Sequence, residues 1–237
     1  EESSLIIPLG RWIVDTAAEF CSRCIDIIPD FVMHVNLSFV QIIKSDVKKD
    51  VLENISRHKA ANNHYVLEIT ESIQMDSNIA VKRVLDDFIS NGFLLAIDDF
   101  GTGYSNFEYM KDRMFGILKV DRSFVTDINN NDNNSILVGF IIKMAHEMGT
   151  KICAEGVETK EELEKLYQFC KRHNLYLYID GARLAMALAV EETQLTLKDL
   201  PDLCDAFYIG GTKNGAMFGE ALILVNDDLK DHFRFNM

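Results

Sequence analysis

Phe93-Leu94-Leu95-Ala96-Ile97-Asp98-Asp99-Phe100-Gly101-Thr102-Gly103 is the stretch that decides the fold. Apolar residues run into two adjacent carboxylates and then into a glycine-punctuated loop. An apolar run too short for a helix and closed by turn residues reads as a buried strand. The pattern recurs outward in both directions. Upstream lie Phe31–Ser38 and Tyr65–Thr70; downstream lie Gly116–Val120 and Lys151–Ala154. Helical periodicity marks Leu5–Ile28, Ile79–Ser90 and Ser135–Met148. On the first of these, Leu9, Trp12, Ile13, Ala17 and Phe20 share one face, and Trp12 is expected in the core. Strands alternating with helices predict α/β architecture with a mainly parallel sheet.

A polar residue closes each strand: Asn36, Glu68, Asp98 with Asp99, Lys119, and Glu155. Their spacings of 32, 30, 21 and 36 residues suit one βα unit apiece. In a (β/α)8 barrel the strands point one way, so these side chains would converge on one rim. Clustered carboxylates repel one another and lose solvation unless a cation joins them. Oxygen ligands favour magnesium, manganese or calcium. Asp98 and Asp99 could hold one ion each or bridge two, and two such ions form a clamp for phosphodiester hydrolysis. Lys119 could orient the attacking water or neutralise charge on phosphorus, with Gly101 and Gly103 supplying a flexible loop beside the metals.

The net charge of −13 argues against general nucleic-acid binding. Five cysteines, an odd number, and no visible signal peptide predict a reducing, cytoplasmic compartment. The pair Cys21 and Cys24 reads as buried small side chains on a helix, His34 as a packed or hydrogen-bonded strand residue, and Asn129 to Asn134 as a solvated loop. Thr159, with Glu162 three residues on, reads as a helix N-cap. No apolar stretch approaches the ~18 residues of a membrane span.

Over residues 1–162 the sequence resembles the EAL family of cyclic di-GMP phosphodiesterases. Five motifs carry the resemblance: Val35-Asn36-Leu37-Ser38, Leu67-Glu68-Ile69-Thr70-Glu71-Ser72, Ile97 through Ser105, Leu118-Lys119-Val120-Asp121, and Ala154-Glu155-Gly156-Val157-Glu158-Thr159. The resemblance implies a (β/α)8 TIM-type barrel that cleaves cyclic di-GMP to the linear dinucleotide with two magnesium or manganese ions. It implies metal ligation by Asn36, Glu68, Asp98, Asp99 and Glu155, and water positioning by Lys119. Glu71 would brace the loop after Asp99, and Asp121 and Glu158 would line the site. The family's Glu-Ala-Leu strand lies upstream of the segment that Glu1–Pro8 resembles, and its Gln-Gly-Tyr does not follow Thr159. The barrel is therefore expected to be incomplete, with open edges that dimerisation could cover. A domain that binds cyclic di-GMP or a protein partner without turnover stands as the alternative.

The tail, residues 163–237, resembles a different family. Tyr178-Ile179-Asp180-Gly181-Ala182-Arg183-Leu184 and Tyr208-Ile209-Gly210-Gly211-Thr212-Lys213-Asn214-Gly215 are similar to the threonine aldolase and β-eliminating lyase family. That family uses pyridoxal phosphate on an aspartate aminotransferase-like α/β fold. The resemblance makes Lys213 the Schiff-base lysine, Asp180 the partner of the pyridinium nitrogen, and Arg183 a basic neighbour of the cofactor. Two expectations follow: a chimera joined near residues 159–166, or a tail whose strands at Leu175–Ile179, Ala206–Ile209 and Ala221–Val225 complete the barrel.

Overall fold

The computed structural model describes residues 5–71, 79–101, 115–126, 128, 132–217 and 219–231. Ser72 and Thr102 through Ser105, which belong to the strand-end motifs, lie outside them, as do residues 129–131 of the expected loop. The chain divides into two compact units: residues 1–121 with 140–155, and residues 122–139 with 156–237. The expected join at residue 162 falls inside a helix of the second unit, Lys160–Arg172.

In the first unit, among the described residues, five strands form a parallel sheet in chain order. They are β1 Met33–Asn36, β2 Tyr65–Thr70, β3 Leu94–Phe100, β4 Ile117–Val120 and β5 Lys151–Ala154. Around them lie α1 Ile6–Ile25, α2 Phe39–Lys44, α3 Val47–Ser56 and α4 Ile79–Ser90. Side chains alternate across a strand. Val35, Leu67, Ile69, Leu95, Ile97, Leu118 and Val120 are all buried on one face. Residues of opposite parity, including Asn36, Glu68, Asp98 and Lys119, are left for the other face. From α4, Val81, Leu85 and Phe88 recur at helical spacing and are buried at 0–1% exposure. Each such side chain contributes about 1.5–3 kcal/mol by its removal from water.

The α2 start fixes the end of β1. Ser38 caps the helix, its hydroxyl accepting from the Val40 amide at 3.2 Å, while its own amide donates to Gln41 Oε1 at 3.0 Å. This reciprocal box satisfies amides that the first turn leaves without helical partners. The Leu37 amide donates to the Glu68 carbonyl at 2.8 Å, which continues the ladder one residue past Asn36.

The first helix corrects the sequence expectation. Its buried side is Gly10, Val14, Ala18 and Cys21, whereas Trp12 is 64% exposed and Leu9 and Phe20 are about half exposed. α1 packs on α3, where Asn54 Nδ2 donates to the Arg11 carbonyl at 3.4 Å, and a Cβ at Gly10 would lie 1.9 Å from Gln41 Nε2 of α2. The five cysteines are all free thiols, with Cys21 buried against the His64 carbonyl at 4.0 Å.

The second unit contains α5 Arg122–Thr126, the first half of α6 Asp132–Met148, α7 Lys160–Arg172 and α8 Leu184–Leu188. Residues 132–134, expected in a loop, form the first turn of α6, so that expectation is corrected there. Thr159 caps α7 in a full capping box with Glu162. Three strands, β6 Tyr178–Ile179, β7 Ala206–Gly210 and β8 Glu220–Leu224, make a sheet of their own. β8 runs antiparallel to β7. A (β/α)8 barrel uses parallel strands throughout, so the expectation that the tail completes the barrel is overturned. The core here is Leu163, Leu184, Leu200, Leu203, Cys204 and Phe207. Asp205, 1% exposed, accepts from Lys171 Nζ at 2.6 Å, the Leu177 amide at 2.9 Å and Asn226 Nδ2 at 2.8 Å.

Candidate metal centre

The site is built at the carboxyl ends of β2 to β5. β3 contributes twice because it carries a bulge. Ile97 aligns with Leu118 and Phe100 with Val120, so two residues on β3 face one residue, Lys119, on β4. Strict alternation would send Asp98 and Asp99 to opposite faces. The extra residue, with Asp99 at φ +54°, returns both carboxylates to the same side. Aspartate tolerates this left-handed conformation better than most residues.

One oxygen from each of Asp98, Asp99 and Glu155 lies within 4.8 Å of the other two. Lys119 Nζ sits among the same groups, 2.8 Å from Asp98, 2.9 Å from Glu155 and 3.1 Å from Glu68. Desolvation pulls the Lys119 ammonium down, but the three carboxylates outweigh it and its pKa stands raised. Partial burial, then the Asp98 and Asp121 charges, push Asp99 up. A set of carboxylates gathered around one ammonium is a place already organised for positive charge. The all-oxygen donor set suits a hard divalent cation, so the residues present fit one.

Glu68 is buried and fully engaged. His34 Nδ1 lies 2.6 Å from its Oε1, and Lys119 holds Oε2. The hydrogen bond with His34, and after it Lys119, lowers the Glu68 pKa against the opposing effect of burial. Glu71, also buried, accepts the Gly101 amide on Oε2 at 2.6 Å. Gly101 has φ +104°, a conformation that side chains rarely adopt, so a glycine is required where the Glu71 bond turns the chain after the bulge. Asn36 is the ladder partner of Glu68 and is exposed. Asp121 is half-buried, its amide donating to the Phe100 carbonyl at 3.3 Å.

The strand-end residues Glu68, Asp98, Asp99, Lys119 and Glu155 are thus brought together, with Glu71 behind them. Glu158 belongs to the second unit, where it pairs with Arg122 at 2.6 Å. Asp180, Arg183 and Lys213 are exposed in the second unit. There the turns after β6 and β7 meet. Asn214 Nδ2 donates to the Ala182 carbonyl at 3.2 Å and to the Gly210 carbonyl. Gly181 is required because a Cβ there would lie 1.6 Å from the Tyr208 carbonyl oxygen. The Asp180 carboxylate accepts the Ala182 amide at 3.0 Å. His34 was not among the expected site residues. Its only sequence signal is its parity with Asn36, two residues along β1.

The EAL domain family model matches residues 1–169, and the Beta-eliminating lyase family model matches residues 143–236. The chain is similar to the signaling protein YkoW of Bacillus subtilis, 33% identical over 71% of this chain and 21% of that protein. It is also similar to the bifunctional diguanylate cyclase/cyclic di-GMP phosphodiesterase MucR of Pseudomonas aeruginosa, 33% identical over 70% of this chain and 24% of that protein. Among solved structures, the PaMucR phosphodiesterase in complex with c-di-GMP superposes with a TM-score of 0.64 at 30% identity, covering 73% of this chain and 69% of that one. The chain spans between a fifth and a quarter of the length of these two curated relatives. No helix among the described residues is long and apolar enough to cross a membrane.

Proposed function

Since the chain belongs to the EAL domain family, matched over residues 1–169, we propose that it is a divalent-metal-dependent phosphodiesterase that opens cyclic di-GMP to the linear dinucleotide. The observation that carries this reading is the gathering of Asp98, Asp99 and Glu155 oxygens within 4.8 Å beside a three-way Lys119 ammonium. Asn36, Glu68, Asp98, Asp99 and Glu155 would hold two magnesium or manganese ions. Bound there, the ions supply a lowered water pKa and charge stabilisation at phosphorus. Lys119 would hold the attacking water while its ammonium offsets charge on the phosphoryl oxygens. Glu71, through the Gly101 amide, keeps the bulged aspartates in place, and Asp121 reinforces the negative field at Asp99.

The test is chromatography of cyclic di-GMP incubated with the chain and magnesium or manganese, with Lys119→Ala and Asp98→Ala in parallel. The linear dinucleotide is expected from the parent and lost in both variants. Binding without product would replace turnover by recognition. Neither binding nor product from a folded chain would refute the reading.

A second reading attaches to the tail, on the match of the β-eliminating lyase family to residues 143–236. The joined turns after β6 and β7 carry Asp180, Arg183 and Lys213, a carboxylate, a guanidinium and an amine suited to pyridoxal phosphate. Lys213 would hold the aldehyde carbon, Asp180 the ring nitrogen, and Arg183 would lie beside them. Bound there, the cofactor supplies an electron sink. A near-ultraviolet or visible absorbance band that appears with the cofactor and is lost in Lys213→Ala supports this reading; its absence in the parent refutes it.

A further inference from the structure

We infer that His34 is a positioning residue for Glu68, holding one carboxylate oxygen so that the group is presented to the metal centre in a single orientation. The inference rests on the metal-centre reading above. The two oxygens of Glu68 have different nitrogen partners: Oε1 faces His34 Nδ1 at 2.6 Å and Oε2 faces Lys119 Nζ at 3.1 Å. Two fixed donors on opposite ends of a carboxylate leave it no free rotation about its last torsion.

The two donors are not equivalent. Lys119 is shared with Asp98 and Glu155, and its contact with Glu68 is the longest of the three. The His34 contact is the shorter, and among the described contacts it goes to Glu68 alone. Geometry allows the contact because β1 and β2 are parallel neighbours. His34 aligns with Val66, so its ring reaches one step diagonally to Glu68. Its rigid ring spans that step while the Glu68 side chain stays 7% exposed. A carboxylate oxygen offers more than one lone pair, so a nitrogen donor on Oε1 does not bar the group from a cation. Outer-shell partners of this kind commonly set metal affinity by about 10- to 100-fold.

Manganese titration calorimetry on the whole chain tests the role, comparing the parent with His34→Ala, His34→Gln and Asp98→Ala. His34→Ala is expected to bind manganese about 10- to 100-fold more weakly. His34→Gln, which retains a neutral donor, is expected to recover most of that loss, a rescue that a packing role would not produce. Asp98→Ala is expected to lose the site. Weak binding by Asp98→Ala alone, with His34→Ala at parent affinity, overturns the positioning role and leaves the metal centre standing. Equal weakness in His34→Gln and His34→Ala overturns the hydrogen-bond role. Parent-like binding by Asp98→Ala overturns the metal centre and the His34 role with it.

Discussion

Replacing Lys119 by alanine removes the ammonium that Glu68, Asp98 and Glu155 share. Each Nζ–oxygen contact, at 2.8 to 3.1 Å, is worth about 6 kcal/mol of gross Coulomb attraction at an effective dielectric of ~20. Most of that is cancelled by the desolvation of an ammonium whose side chain is only 15% exposed. What remains when one partner of a buried pair is deleted is about 3–5 kcal/mol of destabilisation. For a chain of this size that lowers the melting temperature by roughly 6–20 °C. A divalent cation should then act differently on the two proteins. In Lys119→Ala it meets uncompensated carboxylates and no competing ammonium, so it raises the melting temperature more than it does in the parent. The assay is thermal denaturation by circular dichroism, with and without millimolar magnesium. A variant melting within about 2 °C of the parent, or gaining no more from magnesium than the parent does, would refute the reasoning that the ammonium neutralises the same carboxylates that would hold the ion.

Four further outcomes are expected. Glu71→Ala leaves the Gly101 amide without its carboxylate and should cost about 1–3 kcal/mol, with weaker manganese binding, read by denaturant melts and calorimetry. Phe88→Ala, at a fully buried α4 position, should cost about 3–5 kcal/mol in urea unfolding; a smaller loss would contradict its packing. Trp12→Ala should change stability by no more than about 0.5 kcal/mol, and in the parent this single tryptophan should be readily quenched by acrylamide. Asp205 is lowered from its ordinary 3.8: burial opposes ionisation, but Lys171, the Leu177 amide and Asn226 prevail. A lowered folded pKa gives stability that is present above the unfolded value and is lost as pH falls through the folded one. Asp205→Ala should therefore flatten the acid limb of the stability curve, and an unchanged limb would remove Asp205 as its source.

The sequence was most informative where one face of an element is apolar and the other is not. β2, β5 and α4 begin and end where their patterns do, because turn residues and polar ends bound each run. It misled on α1, where apolar residues stand on two sides of the helix. Periodicity favours the bulkier stripe of Leu9, Trp12 and Phe20, yet the side that is buried is that of Val14, Ala18 and Cys21. The strand-end polar residues were legible from their spacing. The geometry that unites Asp98 with Asp99 was not, since alternation alone separates them and only the pairing with β4 reveals the bulge. His34 was hidden for the same reason: its partner is 34 residues away. In the tail, the strand segments were legible but not their direction, and β8 turned out antiparallel.

The bulge in β3 also bears on how this site changes over evolutionary time. A substitution at Asp98 or Asp99 removes one oxygen donor and can be reversed by a second substitution. Deleting a single residue between Ile97 and Phe100 acts otherwise: it restores plain alternation, keeps Ile97 and Phe100 on the buried face, and leaves one position where two carboxylates stood. The sheet would survive such an event while the donor set shrank, and no later point substitution could refill it. The capacity of the site is thus written partly in the length of a strand, where comparisons of residue identity alone do not look.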